Sequence, residues 1–263
     1  MDITSLGFRT DLLLLELAGS VFHDMGEYVV VRTPENPGYW WGNFLLYRTP
    51  FAPDDTELRG DDFRREFPDA KHVAFGIDNT DGDAGAVDEL IAAGFMVEHS
   101  TVMTAERVVP PLRPNEEATY RFLTSDADWE QVYHQSLACA ELEVDAEYEE
   151  FTRRKLAAKR EVVDAGHGKW FGAFDGDRLQ SSLGLVFDGN GLARFQNVQT
   201  WPDDRGRGLA GTLVHHASTY GLGEGRARKL VMVADPDYVA IRIYRSVGFA
   251  DSETQLQITR RPA

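Results

Sequence analysis

The stretch from Asn197 to Tyr220, NVQTWPDDRGRGLAGTLVHHASTY, restricts the possible folds of this chain more than any other. Gln196, Val198 and Thr200 alternate with Phe195, Asn197 and Gln199, the pattern of a strand end. Pro202, Asp203 and Asp204 punctuate it. From Leu209 onward, Leu213, Ala217 and Tyr220 recur at helical spacing, so a helix lays one face on a core. Between strand and helix sits Arg205-Gly206-Arg207-Gly208-Leu209-Ala210. The glycines allow a tight turn and a close ligand approach. The first amides of a helix have no internal partners, and with the helix dipole they favour phosphate groups. Arg205 and Arg207 add positive charge at the same place. A plain strand-to-helix turn accounts for this stretch equally well when it is taken alone.

The downstream sequence separates the two readings. Leu230-Val231-Met232-Val233-Ala234 is a short apolar run suited to a buried strand. It leads into Asp237-Tyr238-Val239-Ala240-Ile241-Arg242-Ile243-Tyr244-Arg245-Ser246-Val247-Gly248-Phe249. The R-x-x-G-x-A loop after a V-x-T strand end resembles the coenzyme A loop of the GNAT superfamily, the acyl-CoA-dependent N-acyltransferases. The second segment is similar to that family's N-x-x-A-x-x-x-Y-x-x-x-G-F signature, with Asp237 in place of the asparagine. The two occur in family order, separated by one helix and one strand. The resemblance covers about residues 113 to 263.

The resemblance implies an α/β (α+β) fold, with a mixed, mostly antiparallel sheet and flanking helices. It implies an N-acetyltransferase that uses acetyl-CoA as co-substrate and no metal. Backbone groups of Val198, Gln199 and Thr200 would pair with the pantetheine arm like an added strand. Arg205 and the amides of Gly206, Arg207, Gly208, Leu209 and Ala210 would hold the pyrophosphate, and Asp237 would complete the cofactor side. The Val198 amide would stabilise the oxyanion as an amine attacks the thioester directly. Tyr244 would protonate the leaving thiolate; the alternative for Tyr244 is a core tyrosine on the stripe with Ala240 and Val247. The alternative function is a non-catalytic acyl-CoA-binding or sensing protein of the same fold.

With 263 residues and a hydrophobic fraction of 43%, the chain can form one large domain or two small ones. Three prolines in Val108-Val109-Pro110-Pro111-Leu112-Arg113-Pro114 mark residues 108–114 as a linker. It separates a smaller lobe, 1–107, from a catalytic domain, 115–263. In the smaller lobe, a helix is expected from Phe8 to Ser20 with Thr10 as its cap, and strands over Glu27–Arg32 and Trp41–Tyr47. An acidic helix from Asp54, a strand at His72–Ile77, a helix from Ala84 and a strand from Phe95 follow. Ala86, Gly94 and Phe95 match Ala240, Gly248 and Phe249 in spacing, and Asp83 matches Asp237. Leu90 stands where Tyr244 does. Asp54 and Asp55 occupy the phosphate-loop position, where carboxylates would repel a pyrophosphate. The lobe therefore reads as a degenerate GNAT-like half in tandem with the catalytic one; chance recurrence of a common pattern is the alternative.

Composition limits the partners. Cys139 is the lone cysteine, so no intrachain disulfide can form, which suits a cytoplasmic protein. No segment has the length of a membrane span. The net charge of −16 argues against nucleic acid and anionic membrane as partners. The first 110 residues hold 8 basic against 20 acidic residues, and the remainder 19 against 23. The acceptor is thus expected to be an amine of a small molecule or peptide. A cationic one is favoured if the acidic lobe covers the acceptor side, while an acidic surface that only aids solubility is the alternative.

One role has no candidate on the expected strand. Arg194 to Thr200 offers Gln196, Asn197 and Gln199, whose amides cannot take a proton at neutral pH. Asp235, Glu141 and Glu143 could act through water as a general base. His216 falls on the apolar stripe of its helix and is expected in the core, with His215 solvated. Arg153-Arg154-Lys155 is expected on a solvated face, paired to Glu149 and Glu150. Tyr39-Trp40-Trp41 could line an acceptor pocket or simply pack.

Overall fold

The computed structural model describes residues 2–140 and 143–261. The chain forms two compact units. The first runs to Val102 and takes in Val233–Pro236 and the chain from Ser252 onward. The second comprises Met103–Met232 and Asp237–Asp251. The last strand therefore groups with the first unit, although the chain before it builds the second.

In the first unit, α1 (Leu6–Leu17) precedes β1 (Val21–Asp24), β2 (Tyr28–Arg32) and β3 (Phe44–Tyr47). Then come α2 (Asp55–Glu66), β4 (Val73–Ile77), α3 (Val87–Ala92) and β5 (Met96–Ala105). The strands lie in the order β1-β2-β3-β4-β11-β5, where β11 is the final strand, Ala250–Arg260. All ladders recorded among β1 to β4 and β11 are antiparallel except β3 with β4. The parallel ladder pairs Leu45 with Phe75 and continues to Tyr47 with Ile77, the end of both strands. β2, β3 and β4 are buried almost throughout, as their unbroken apolar runs require. The expected Thr10 cap is corrected. Ser5 caps α1, its hydroxyl accepting from the Phe8 amide, and Thr10 lies one turn inside with its hydroxyl donating to the Leu6 and Gly7 carbonyls. The Trp40 ring stacks on His72 at 5.4 Å and the Trp41 ring meets Phe44 edge-on.

The second unit contains β6 (Thr119–Phe122), α4 (Asp126–Ala138), α5 (Ala146–Asp164), β7 (Gly168–Asp175), β8 (Arg178–Phe187) and β9 (Leu192–Thr200). It continues with α6 (Leu209–Leu222), β10 (Lys229–Ala234) and α7 (Ala240–Ser246). The order is β10-β9-β8-β7-β6, antiparallel except for β9 with β10. The sheet in each unit is thus mixed and mostly antiparallel, with flanking helices. Alternation along a strand sends successive side chains to opposite faces. On β7, Trp170 and Phe174 pack with Trp129 and Val132 of α4 and with Leu156 and Val163 of α5. Phe171, between them, meets Tyr220 of α6 at 5.6 Å. Helices α4 and α5 therefore cover one face and α6 the other. In chain order the elements from β2 to β5 and from β8 to β11 repeat one plan, in which an antiparallel hairpin leads to a helix, a parallel strand, a short helix and a closing strand.

Candidate functional site

β9 carries an irregularity where the sequence shows only alternation. Gln196 pairs with Gly184 and Gln199 with Ser182, so Asn197 and Val198 together face the single residue Leu183. Asn197 takes φ 46°, the left-handed conformation that lets a strand absorb one extra residue as a bulge. The second feature lies on the other edge of β9. Its ladder with β10 pairs Leu192, Ala193 and Arg194 with Lys229, Leu230 and Val231, and stops. β9 runs on to Thr200 and β10 to Ala234 without further pairing to each other. The strands splay, and the β10-facing edge of Val198, Gln199 and Thr200 is left without a ladder.

The splayed strand feeds the glycine loop. A single 3-10 turn, Pro202–Asp204, precedes it. Gly206 (φ 78°) and Gly208 (φ 80°) are both left-handed. Gly208 is the N-cap of α6, and no side chain caps that helix. A Cβ on Gly208 would lie 2.7 Å from the Arg113 carbonyl oxygen, whereas a Cβ on Gly206 would meet nothing within 4 Å. Gly208 is therefore required by the packing of the loop, and Gly206 by its shape. Asn115 fastens the loop from the linker side, its side-chain amide donating to the Arg207 carbonyl at 3.0 Å and its backbone amide to Thr212 Oγ1 at 2.8 Å.

The loop's charges are unequal. Asp204 is buried, accepts two bonds from Arg178 at 2.8 Å each, and accepts one each from Gln180 and Arg207 at 3.0 Å. The Arg178 guanidinium holds its carboxyl below the usual carboxylate range. Arg207 also reaches Glu117 at 3.0 Å. Two carboxylates thus already engage Arg207. Among the described residues no carboxylate lies in ion-pair range of Arg205, whose guanidinium points to the Thr200 carbonyl and the Cys139 sulfur. Burial raises the Cys139 thiol above its ordinary value, with Arg205 opposing, so it is held as a thiol that donates to the Thr200 carbonyl at 3.4 Å.

Solved structures were compared with this arrangement. A conserved protein of unknown function from Staphylococcus epidermidis matches with a TM-score of 0.70 at 11% identity, covering 94% of this chain and 96% of that one. A GCN5-related N-acetyltransferase from Kribbella flavida matches at 0.66 and 15%, covering 98% and 96%. A tandem GNAT protein from the clavulanic acid biosynthesis pathway matches at 0.53 and 16%, covering 84% and 75%. The chain has a tandem GNAT fold. No protein-family model matches the sequence, and neither does any curated protein. At these identities the likeness is one of GNAT architecture, and chemistry must come from this chain's own residues.

Within the GNAT fold of the second unit, Tyr244 lies on α7 and is buried at 6% exposure. Burial, and then the neighbouring Tyr238, push its phenol well above the ordinary tyrosine value, so it stays protonated at neutral pH. α7 packs against α6; a Cβ on Gly211 would lie 3.4 Å from Ile243. Asp237 is exposed ahead of α7. Glu143 and Asp235 are exposed, and Glu141 lies outside the described residues.

Two sequence expectations are corrected here. His216 is exposed and stacks face-on upon Tyr120 at 4.7 Å, while His215 is the half-buried one; the sheet-facing stripe of α6 runs through Leu213, Val214 and Ala217 instead. Among the described residues no group of three or more His, Cys, Asp or Glu could hold a metal. No described helix is long and apolar enough to cross a membrane. The second correction concerns α5. Arg154 does pair with Glu150 at 2.7 Å, but Arg153 turns to Glu130 of α4, and Lys155 is half-buried. Lys159, one turn further on, is also half-buried, and its amine donates to the Asn197 side-chain oxygen at the β9 bulge. Sequence reading overlooked Lys159 because its helix is dense in charge. The usable signal was its spacing of seven from Thr152 and three from Val162, both buried.

Proposed function

We propose that the second unit is an acetyl-CoA-dependent N-acetyltransferase acting on an amine of a small molecule or peptide. The splay of β9 from β10, opening beside an uncapped, glycine-shaped helix start, carries this reading. The residues present fit coenzyme A. The first amides of α6 lack intrahelical partners and can donate to a phosphate, a Cβ on Gly206 would meet nothing within 4 Å, and Arg205 adds a cation with no carboxylate in ion-pair range among the described residues. The edge of Val198 to Thr200 can take the pantetheine amides as a strand takes a neighbour. Acetyl-CoA would supply the acyl group as a thioester.

The chain's residues then have distinct tasks. The bulge at Asn197 breaks the register with β8 just before Val198, and the Val198 amide would donate to a developing oxyanion. Tyr244 holds a proton for the thiolate, and its buried phenol gives it up only to a strong base. Arg207, already held by Asp204 and Glu117, keeps the loop in shape more than it neutralises phosphate.

For the acceptor, the acidic first 110 residues favour a cationic amine. Steering by exposed charge is screened beyond about 8 Å at physiological salt, so kcat/KM for such an acceptor should fall as salt rises while kcat holds. The function itself is tested by thiol release from acetyl-CoA over a panel of amines. Acceptor-dependent release supports the transferase. Tight coenzyme A binding with no release for any amine would favour an acyl-CoA-binding protein.

A further inference from the structure

We propose that Lys159 of α5 is the general base of the second unit, taking the proton that the acceptor ammonium must shed before it can attack. The inference rests on the acetyltransferase reading above. It fills a gap in the sequence, because β9 offers only amide side chains near the bulge.

The placement of Lys159 is unusual for a lysine. α5 is amphipathic, and its inner stripe runs through Thr152, Leu156, Val162 and Val163. Lys159 falls on that stripe. Its stem passes the indole of Trp170, with the amine 5.7 Å from a ring centroid, and Trp170 is 2% exposed. Its amine ends on the Asn197 side-chain oxygen. Asn197 is the left-handed residue of the bulge and immediately precedes Val198. The amine thus comes to the position on β9 where the acyl carbonyl would be held. The Trp170 indole N–H, buried beneath, has no hydrogen-bond partner.

A lysine facing inward is normally paired with a carboxylate. Among the described residues none is in ion-pair range of Lys159. The carboxylates of α4 engage arginines instead, Asp126 with Arg160, Asp128 with Arg121 and Glu130 with Arg153. On α5, Asp164 also faces Arg160. The charged neighbour that Lys159 does feel is Lys155, one turn back. Trp170 of β7 and Asn197 of β9 carry no charge. Burial and then Lys155 hold the Lys159 amine well below its ordinary value, which favours the neutral form more than at a solvated lysine. Neutral, the amine still donates one hydrogen to Asn197 and keeps its lone pair free.

The proton and electron count closes. One proton passes from the acceptor ammonium to Lys159 Nζ. The freed lone pair forms the N–C bond as the C–S bond breaks. The thiolate takes the Tyr244 proton, and the surplus proton on the new amide nitrogen restores that phenol through solvent. Lys159 then releases its proton to bulk.

The test uses the full chain with 13C-labelled lysine side chains, and has two arms. In the first, the Lys159 signal, identified by its loss in Lys159→Arg, is titrated by NMR. It should titrate below the group of surface lysines; titration with that group overturns the proposal whatever the activity. The second arm compares thiol release in wild type, Lys159→Arg and Lys159→Met. Arginine keeps a donor for Asn197 but stays protonated and cannot act as a base, and methionine has no base at all, so both variants should lose about 10²–10⁴-fold in kcat. The rising limb of the kcat/KM pH profile should disappear in both. Lys159→Met should also melt no lower than wild type, since it removes a half-buried amine with no described carboxylate in ion-pair range. Near-full turnover in the arginine variant, or an unchanged pH profile, overturns the proposal. Wild type that releases thiol with no amine overturns the acetyltransferase reading itself, and the base role with it.

Discussion

The starts of α2 and α6 are the same piece of backbone in two states. Asp54 (φ 69°, ψ −1°) leads into α2 and Gly208 (φ 80°, ψ 0°) into α6, both left-handed. In the first unit this lead-in is occupied by the chain's own carboxylates. The Asp54 amide donates to Glu89 at 2.9 Å, the Ala52 amide to Asp55 at 3.0 Å, and Asp55 pairs with Arg59. Neither helix has a side-chain cap, but ahead of α6 no described carboxylate accepts from the amides of Gly206 to Gly208. The strands ahead differ in the same sense. β3 stays laddered to β4 through its last residue, and the Asp78 amide extends the pairing to the Tyr47 carbonyl. β9 leaves β10 with six residues still to run. One half is closed by its own anions and its own hydrogen bonds, and the other is open in both respects. On the proposed function, an anion site can be closed without changing the backbone, by supplying the negative charge internally.

The largest effect expected from breaking this comparison concerns Tyr244 against its counterpart Leu90, which is fully buried in the first unit. Tyr244→Phe makes the second half as inert as the first at that position. Steady-state kinetics should show turnover lower by about 10²–10⁴-fold with coenzyme A affinity nearly unchanged. Full activity would return Tyr244 to a packing role.

Next, Gly206→Asp brings the first unit's carboxylate to the second unit's loop. Space is open there, so charge can be separated from strain by comparing it with Gly206→Asn. Two phosphate charges at about 4 Å in a water-like medium oppose the carboxylate by roughly 2 kcal/mol, about 30-fold in affinity. The asparagine variant should lose only a few-fold, as read by titration with coenzyme A. Gly208 is a poorer test, because any side chain there meets the Arg113 carbonyl.

A smaller effect attaches to Asp204, which holds the open loop in shape through Arg178, Gln180 and Arg207. The Arg178 guanidinium holds its carboxyl below the ordinary aspartate value in the folded protein. Its stabilisation is therefore fully present above that value and is lost as pH falls through the lower, folded one. Asp204→Asn should cost about 1.5–3 kcal/mol near neutral pH, and the gap from wild type in urea unfolding should close in acid.

The smallest effect is expected from the reverse exchange. Asp54→Gly relieves a left-handed aspartate, and should change stability by about 1 kcal/mol or less, on the stabilising side. It should create no coenzyme A site, since β3 remains laddered. New binding in that variant would show that charge alone closes the first unit.

Much of this was legible in the sequence. The glycine loop, the Tyr244 helix and the repeated Gly-Phe endings depend on residue types that few positions tolerate, so they leave a trace. The acidic start of α2 was legible for the same reason. The bulge was not, because Asn197 in the left-handed region looks like any strand residue until its partners on β8 are known. Nor were the ion pairs that engage Arg207 and, among the described residues, leave Arg205 without one; Glu117 is 90 residues from Arg207 in sequence. His216 was misplaced because α6 is small and apolar on two sides, which blurs its stripe. Lys159 was missed because the inward face of a charged helix shows only in burial.

The central claim is that one half of this duplicated fold is open to coenzyme A and the other is closed. Isothermal calorimetry of coenzyme A with wild type, Gly206→Asp and Gly206→Asn tests it most directly. The account predicts one site per chain, weakened about 30-fold by the aspartate and nearly kept by the asparagine. Two equal sites per chain, or an aspartate variant that binds like wild type, would contradict it.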